Sequence, residues 1–174
     1  MRTALVRWCL ALVLALAWLT EATAQTWQDF QPEGGKYRIL MPGTPKVTTK
    51  PITLSEGSTV AAHFATYETD DTAYGVIYCD YPASFTRGKT ADTILDNAMK
   101  ASVGNRVLLN ETRLTIQGHP AREFAVDRLD GYTHVVRIAF VGSRLYALNV
   151  AGRHDVEKDA ATRRFLESFS LMDQ

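Results

Sequence analysis

Two tight turns in the second half of the sequence restrict the fold more than any other feature. Asp130-Gly131 is typical of a type I′ turn and Gly142-Ser143 of a type II′ turn, and both are two-residue loops that join antiparallel strands. The strand-like runs that these turns connect are 119–129, 132–141 and 144–151. The sequence therefore predicts three consecutive antiparallel strands.

A two-residue loop also predicts which residues lie opposite each other across a hairpin. The first turn places Asp127 opposite His134, and the second places Ile138 opposite Ala147. With these registers both faces of the three strands are largely apolar. A sheet with one face in water would show a polar row on that face. We therefore expect this sheet to be covered on both sides.

The remaining segments supply more strands and two helices. Apolar residues at helical spacing predict a helix over 91–103, which Thr90 caps and Gly104 ends, and a second helix over 156–169 that begins at Asp155. Further strand-like runs are 36–41, 46–54, 59–68, 74–81 and 106–117. The fold class predicted is α+β, a three-layer α/β/α sandwich around a mostly antiparallel sheet.

The N-terminus has the three parts of a cleavable signal peptide. Arg2 and Arg7 precede the uncharged apolar run 8–19, and the small residues Ala22, Thr23 and Ala24 follow it. This run is too short for a transmembrane helix, which needs about 20 apolar residues. We predict cleavage between Ala24 and Gln25, so that 1–24 is a signal peptide and 25–174 a single globular domain. The mature protein is then periplasmic or secreted, with no integral membrane segment.

The net charge and the number of cysteines exclude nucleic-acid binding and a disulfide-stabilised fold. The whole chain has a formal charge of zero, and cleavage removes two arginines and one glutamate, which leaves about −1. A nearly neutral domain lacks the basic surface that nucleic-acid binding requires, so no nucleic-acid partner is expected. Cys79 is the one cysteine left after cleavage, which excludes an internal disulfide. Its apolar surroundings predict a buried, unreactive thiol.

No residue pattern in the sequence matches a known catalytic or metal-binding motif. The four histidines are far apart and form neither HxH nor HExxH, and no nucleophile elbow of the form GxSxG occurs. We therefore predict no catalytic residues, no metal ligands and no cofactor.

The first hairpin register raises one hypothesis about pH sensitivity. If Asp127 lies opposite His134, the carboxylate stabilises the imidazolium and raises the pKa of the histidine. The alternative is an exposed ion pair near a hairpin end, which contributes less than about 1 kcal/mol.

The two registers together also raise a hypothesis about anion binding. They place Arg122 and Arg137 on one otherwise apolar face. A buried arginine needs an anionic partner, because removing its charge from water without one costs several kcal/mol. Each arginine could form a structural ion pair with a carboxylate of a covering segment, or its charged end could extend to solvent. The alternative hypothesis is that the two arginines together line a groove that binds an anionic ligand.

Four segments of the sequence resemble a broad group of exported bacterial domains of unknown function. They are FQPEGGKYRILMPGTPK (30–46), IQGHPAREF (116–124), VGSRLYALNVAG (141–152) and FLESFSL (165–171). That group in turn resembles the PsbP-like and Mog-like α/β/α sandwich, whose known members are accessory or binding proteins. The resemblance implies the same fold and brings no catalytic residues with it.

These observations favour an exported, non-enzymatic accessory or binding module, with another cell-envelope protein as its partner. Two alternatives stay open. One is a carrier of a small apolar or anionic ligand. The other is an enzyme in which scattered polar residues such as His63, Asp80 and Arg137 converge in an apolar pocket.

Overall fold

A computed structural model describes residues 26–153 and 155–172. The predicted signal peptide, its cleavage site at Ala24 and Gln25, and His154 lie outside the described residues. The strands are β1 (Gln28–Phe30), β2 (Tyr37–Met41), β3 (Lys46–Thr53), β4 (Thr59–Glu68), β5 (Thr72–Asp80), β6 (Val107–Ile116), β7 (His119–Asp127), β8 (Tyr132–Val141), β9 (Arg144–Arg153) and β10 (Ser170–Leu171). The α-helices are α1 (Ala83–Thr86), α2 (Ala91–Val103) and α3 (Ala160–Glu167), and a 3₁₀ turn spans Val156–Lys158.

Seven strands form the central sheet, in the order β3-β4-β5-β9-β8-β7-β6. Every neighbouring pair in it is antiparallel. A small second sheet has the order β1-β2-β10 and joins the two ends of the described chain. The predicted α+β class with a mostly antiparallel sheet is confirmed, and the structure adds β1, α1 and β10, which the sequence patterns do not indicate.

Both faces of the central sheet carry an apolar core, as the patterning predicts. On one face Ile94 and Leu95 of α2 pack with Phe124 and Ile138. The opposite face packs against α3 and the small sheet, and its core includes Tyr37, Ile39, Val76, Leu148, Phe165 and Leu166. The three-layer arrangement follows from burial of both faces.

Helix α2 has the predicted ends, whereas the last helix does not. The Thr90 side chain accepts a hydrogen bond from the Thr93 N–H at 3.2 Å, and Gly104 ends the helix with φ of 55°. The predicted single helix over 156–169 is wrong. The 3₁₀ turn comes first and buries Val156 in the core, and extended backbone at Asp159 then redirects the chain into α3.

The two predicted hairpin registers have different outcomes. The second is confirmed, because Ile138 lies opposite Ala147. The first is wrong by one residue, since Asp127 lies opposite Thr133 and His134 lies opposite Val126.

Backbone geometry explains this slip. The loop between β7 and β8 closes with a 2.9 Å hydrogen bond from the Arg128 N–H to the Tyr132 carbonyl oxygen. Positive φ angles occur at Leu129 (64°) and Gly131 (86°), so three residues form the loop instead of two. A shift of one residue moves every β7 side chain to the other face of the sheet relative to the prediction.

Two further sequence predictions concern burial and membrane spans. Cys79 is buried, and burial raises the pKa of its thiol to about 11, so it is protonated at neutral pH, as expected of an unreactive cysteine. Among the described residues, no helix has the length and apolar character needed to cross a membrane.

Candidate functional site

Arg122 lies under α2 and ties this helix to the sheet. Its side chain is 2 % exposed, and its guanidinium donates to Asp92 and, at 3.3 Å, to Asp96, both on α2. The carboxylate of Glu111 on β6 lies 3.6 Å from Nε. Burial by itself lowers the pKa of Arg122, but the hydrogen bonds to Asp92 and Asp96 outweigh it and keep the group charged. Arg122 therefore forms a structural ion pair with its covering helix, which is one of the alternatives that the sequence left open.

Arg137 lies on the opposite face, where it ties α3 to the sheet. Its Nε donates to Glu123 at 2.8 Å, and its Nη1 donates to the Leu166 carbonyl oxygen at 2.8 Å. That carbonyl belongs to the last turn of α3, where no intrahelical donor is available. Arg163 of α3 donates to the other oxygen of Glu123, also at 2.8 Å. Burial by itself raises the pKa of Glu123, but hydrogen bonds from both arginines outweigh it and lower the pKa.

The predicted groove shared by Arg122 and Arg137 is therefore not formed. The one-residue slip of β7 turns Arg122 to the α2 face and leaves Arg137 on the α3 face. Arg122 is engaged by carboxylates of its covering helix α2, whereas Arg137 is engaged by Glu123 of the neighbouring strand β7 and by a carbonyl oxygen of α3.

The predicted pair of Asp127 and His134 is also not formed, for the same reason. The imidazole Nε2 of His134 lies 3.1 Å from Oδ1 of Asn149, and the Asp127 carboxylate accepts the Leu129 N–H at 2.8 Å. Burial lowers the pKa of His134 below its ordinary value, although the Asn149 contact opposes the shift. The sequence prediction of a raised pKa was wrong.

The lowered pKa of His134 has a consequence for stability. Below the unfolded-state pKa of about 6.5 the unfolded chain binds the proton more readily than the folded chain, so stability falls as the pH drops through this range. We expect the urea midpoint of the wild type to be lower at pH 5.5 than at pH 7.5, and His134→Gln to reduce that difference. An unchanged difference in the variant would exclude His134 as its source.

An apolar cavity lies between the small sheet and the β3–β5 end of the large one. It measures about 220 Å³, and we call it the tyrosine pocket. Its lining residues are Phe30, Pro32, Glu33, Tyr37, Val47, His63, Phe64, Ala65 and Tyr78. A larger depression of about 830 Å³ near Pro42 and Tyr67 is lined mainly by hydroxyl groups and is open to solvent.

Aromatic contacts and a glycine turn form the walls of the tyrosine pocket. The Tyr37 ring is almost fully buried and packs edge-on against Tyr78, with 6.1 Å between ring centroids. The His63 ring stacks on the Tyr78 ring, with 4.5 Å between ring centroids. At Gly35 a Cβ atom would lie 2.5 Å from Cγ of Pro32, so the turn that leads into β2 needs glycine there to fold back on the proline ring.

Arg144 fixes that turn to the sheet beside the pocket. Its Nε and Nη2 each donate to Asp80 at 2.7 Å, and its Nη1 donates to the carbonyl oxygens of Gly34 at 2.7 Å and Gly35 at 3.1 Å. Its guanidinium also lies 4.7 Å from the centre of the Tyr78 ring. The hydrogen bonds to Arg144 lower the pKa of Asp80.

Sequence reasoning missed Arg144 because its role depends on pairing between β5 and β9, where Asp80 lies opposite Arg144. These strands are far apart in the sequence and no turn connects them directly. Of the three residues suggested for an enzyme, Arg137 does not join the others, since it binds Glu123 whereas Asp80 binds Arg144. His63 lies near Asp80, where its charge helps to lower the pKa of that carboxyl group. Among the described residues, no group of three His, Cys, Asp or Glu side chains could hold a metal ion.

The pocket is suited to a small apolar group. A cavity of about 150 Å³ with apolar walls accommodates benzene, so the tyrosine pocket has room for one ring or one branched side chain. Aromatic walls give such a group large contact area with little loss of side-chain entropy, because Tyr37 and Tyr78 are already held by their neighbours.

Comparison with known proteins supports the fold. No protein-family model matches the chain, and no curated protein matches its sequence. The solution structure of cyanobacterial PsbP (CyanoP) from Synechocystis sp. PCC 6803 aligns with a TM-score of 0.52 and 15% identity, over 90% of this chain and 99% of that one. The crystal structure of PA94, a protein of unknown function from Pseudomonas aeruginosa, covers 79% of this chain and 88% of that one, with 10% identity and a TM-score of 0.39. The chain has a PsbP-like fold.

Proposed function

We propose that this protein is an exported, non-enzymatic binding module of the cell envelope, which holds an apolar side chain of a partner protein in the tyrosine pocket. The observation that carries the proposal is an apolar cavity with aromatic walls that open to the surface beside Val47, which is 58 % exposed. A concave apolar site of this kind is typical of binding sites. The signal-peptide pattern of residues 1–24 supports export.

Two further features support binding over catalysis. The arginines and carboxylates near the core are used to hold covering layers on the sheet, as Arg137 and Arg144 show. The fold is shared with CyanoP, and the PsbP-like group that the sequence resembles contains accessory and binding proteins. A carrier of a small apolar molecule would use the same pocket, and its size suits one aromatic ring.

The first test asks whether the pocket accepts an apolar group. Indole is titrated into ¹⁵N-labelled protein, and amide shifts are expected at His63 and Ala65. Val47→Trp places a ring at the pocket mouth without replacing a buried side chain, and should raise the apparent Kd at least about tenfold. Lys50→Trp is the matched control, since Lys50 is exposed on the same strand and faces the other side. Equal shifts in both variants would contradict the site.

A second test separates a protein partner from a free ligand. A photo-crosslinking residue is placed at position 47 or, as control, at position 50, and the protein is expressed in its native envelope. The proposal expects one reproducible protein adduct from position 47 and none from position 50. A small apolar molecule extracted from the purified protein, without an adduct, would instead favour the carrier.

A further inference from the structure

One edge of the central sheet is unusually open. Strand β6 is last in the strand order, pairs with β7 on one side, and consists almost entirely of exposed residues. At its start Val107, Leu108 and Leu109 are 51 %, 39 % and 49 % exposed. An edge strand of this length presents a row of backbone N–H and C=O groups that can pair with another strand.

The opposite edge of the same sheet is protected. Strand β3 contains Pro51, which lacks an N–H, and the exposed lysines Lys46 and Lys50. Proline and lysine on an edge strand oppose pairing with another chain. Strand β6 has neither residue, and its one β-bulge lies near its start, between Leu108 and Asn110, so the stretch from residue 110 onward accepts a further strand more readily than β3 does.

The turn between β6 and β7 determines which β6 backbone groups point outward. Gln117 (φ 49°) and Gly118 (φ 84°) form a two-residue loop with the positive angles of a type I′ turn. In such a hairpin the closing pair, Ile116 and His119, is hydrogen-bonded, and hydrogen-bonded pairs then alternate along the strands. The backbone groups of Glu111, Arg113 and Thr115 therefore point away from β7.

We propose that two copies of this chain pair through β6, as an antiparallel ladder with its two-fold axis at Thr112. With that axis Glu111 of each copy lies opposite Arg113 of the other, and both residues have outward backbone groups. Moving the axis to Glu111 places two glutamates opposite each other, and moving it to Arg113 places two arginines opposite each other. Like charges directly opposite destabilise a ladder, so the charges select the register at Thr112.

At this register the Arg113 side chain is available for the pairing, and the Glu111 carboxylate is shared between the pairing and Arg122. Arg113 is 65 % exposed, and its only ion pair in the described residues is a 3.9 Å contact with Asp96. Glu111 is 29 % exposed and contacts Arg122 at 3.6 Å. The β-bulge between Leu108 and Asn110 interrupts the strand before its apolar start, so the regular part of the pairing spans residues 110–114 of each copy. This interface is independent of the tyrosine pocket.

Sedimentation equilibrium of the purified protein, over a concentration series, tests the dimer. The wild type should dimerise, and Arg113→Glu should raise the dimer Kd more than tenfold, because two pairs of glutamates then lie opposite each other. Glu111→Lys should do the same. An equimolar mixture of the two variants should form a heterodimer, since its facing charges are again opposite. Circular dichroism of each variant checks that it folds.

A second variant covers the case in which a charge reversal prevents folding. Arg113→Pro removes an outward N–H that β7 does not use, so it should leave the hairpin intact and abolish the dimer. A monomeric wild type would overturn the proposal, and so would capture of an extended segment of a different protein by a monomeric β6. Dimerisation that survives Arg113→Glu, or variants that fail to associate when mixed, would overturn the register.

Discussion

Replacing Glu123 with alanine should lower the free energy of unfolding by about 3–5 kcal/mol, the cost of breaking a buried ion pair by removing one partner. The Glu123 carboxylate is 16 % exposed and accepts hydrogen bonds from Arg137 and Arg163. The Arg137 side chain is 12 % exposed in the native protein, and without Glu123 it keeps the Leu166 carbonyl oxygen as its hydrogen-bond partner. Helix α3 then loses its main polar attachment to the sheet.

Urea denaturation at pH 7.5 measures this effect, with Asp71→Ala as the matched control. Asp71 also pairs with an arginine, Arg153, but both side chains are more than half exposed. Its loss should cost less than about 1 kcal/mol. The double variant Glu123→Ala/Arg137→Leu should recover part of the stability, because it removes the uncompensated charge as well. If Glu123→Ala and Asp71→Ala lowered the free energy of unfolding by similar amounts, the ion pairs of Glu123 with Arg137 and Arg163 would not stabilise the fold as a buried network.

Replacing Phe165 with alanine should have a comparable effect, about 3–5 kcal/mol, through loss of core packing. The ring is completely buried in the core beneath α3 and lies edge-on to Tyr74, with 5.4 Å between centroids. The helix is only eight residues long, so its stability depends on packing more than on its own hydrogen bonds.

The same denaturation experiment checks this prediction with two companion variants. Phe165→Leu keeps most of the buried volume and should cost clearly less than the alanine variant. Leu129→Ala removes a side chain that is 72 % exposed in the β7–β8 loop and should change stability little. If Phe165→Ala matched Leu129→Ala, α3 would not be anchored through this ring.

Local signals predicted much of the fold because the deciding contacts are close in the sequence. The cap at Thr90 and the glycine at Gly104 determine the ends of α2 within one turn of each end. The Gly142-Ser143 loop likewise determines the β8–β9 register, with Val141 directly opposite Arg144. These predictions needed no knowledge of the rest of the chain.

The β7–β8 loop shows the limit of such local signals. Asp130-Gly131 suits a two-residue turn, but Leu129 also adopts a positive φ of 64°, which is uncommon for leucine. The three-residue loop puts Phe124 and Val126 beneath α2, where they are completely buried. We attribute the choice of loop to that burial, which outweighs the local preference of one dipeptide.

The candidate site depended on tertiary structure more than the fold did. The sequence pattern identified Arg122 and Arg137 as arginines on apolar strands that need anionic partners. In the structure these partners are Asp92 for Arg122 and Glu123 for Arg137. It also assigned both arginines to one groove, which the slip of β7 separates. The tyrosine pocket combines residues from β1 to β5, so no single segment indicates it.

The sequence by itself determined the α+β class, most strand boundaries, the two apolar sheet faces and the need of each buried arginine for a carboxylate. These follow from side-chain periodicity and turn chemistry, which act over a few residues. Only the tertiary structure decided which face Arg122 occupies, that Arg144 lies opposite Asp80, and where an apolar pocket opens. Those outcomes depend on strand pairing and burial over long sequence separations, where the free energy of the whole core selects among locally acceptable registers.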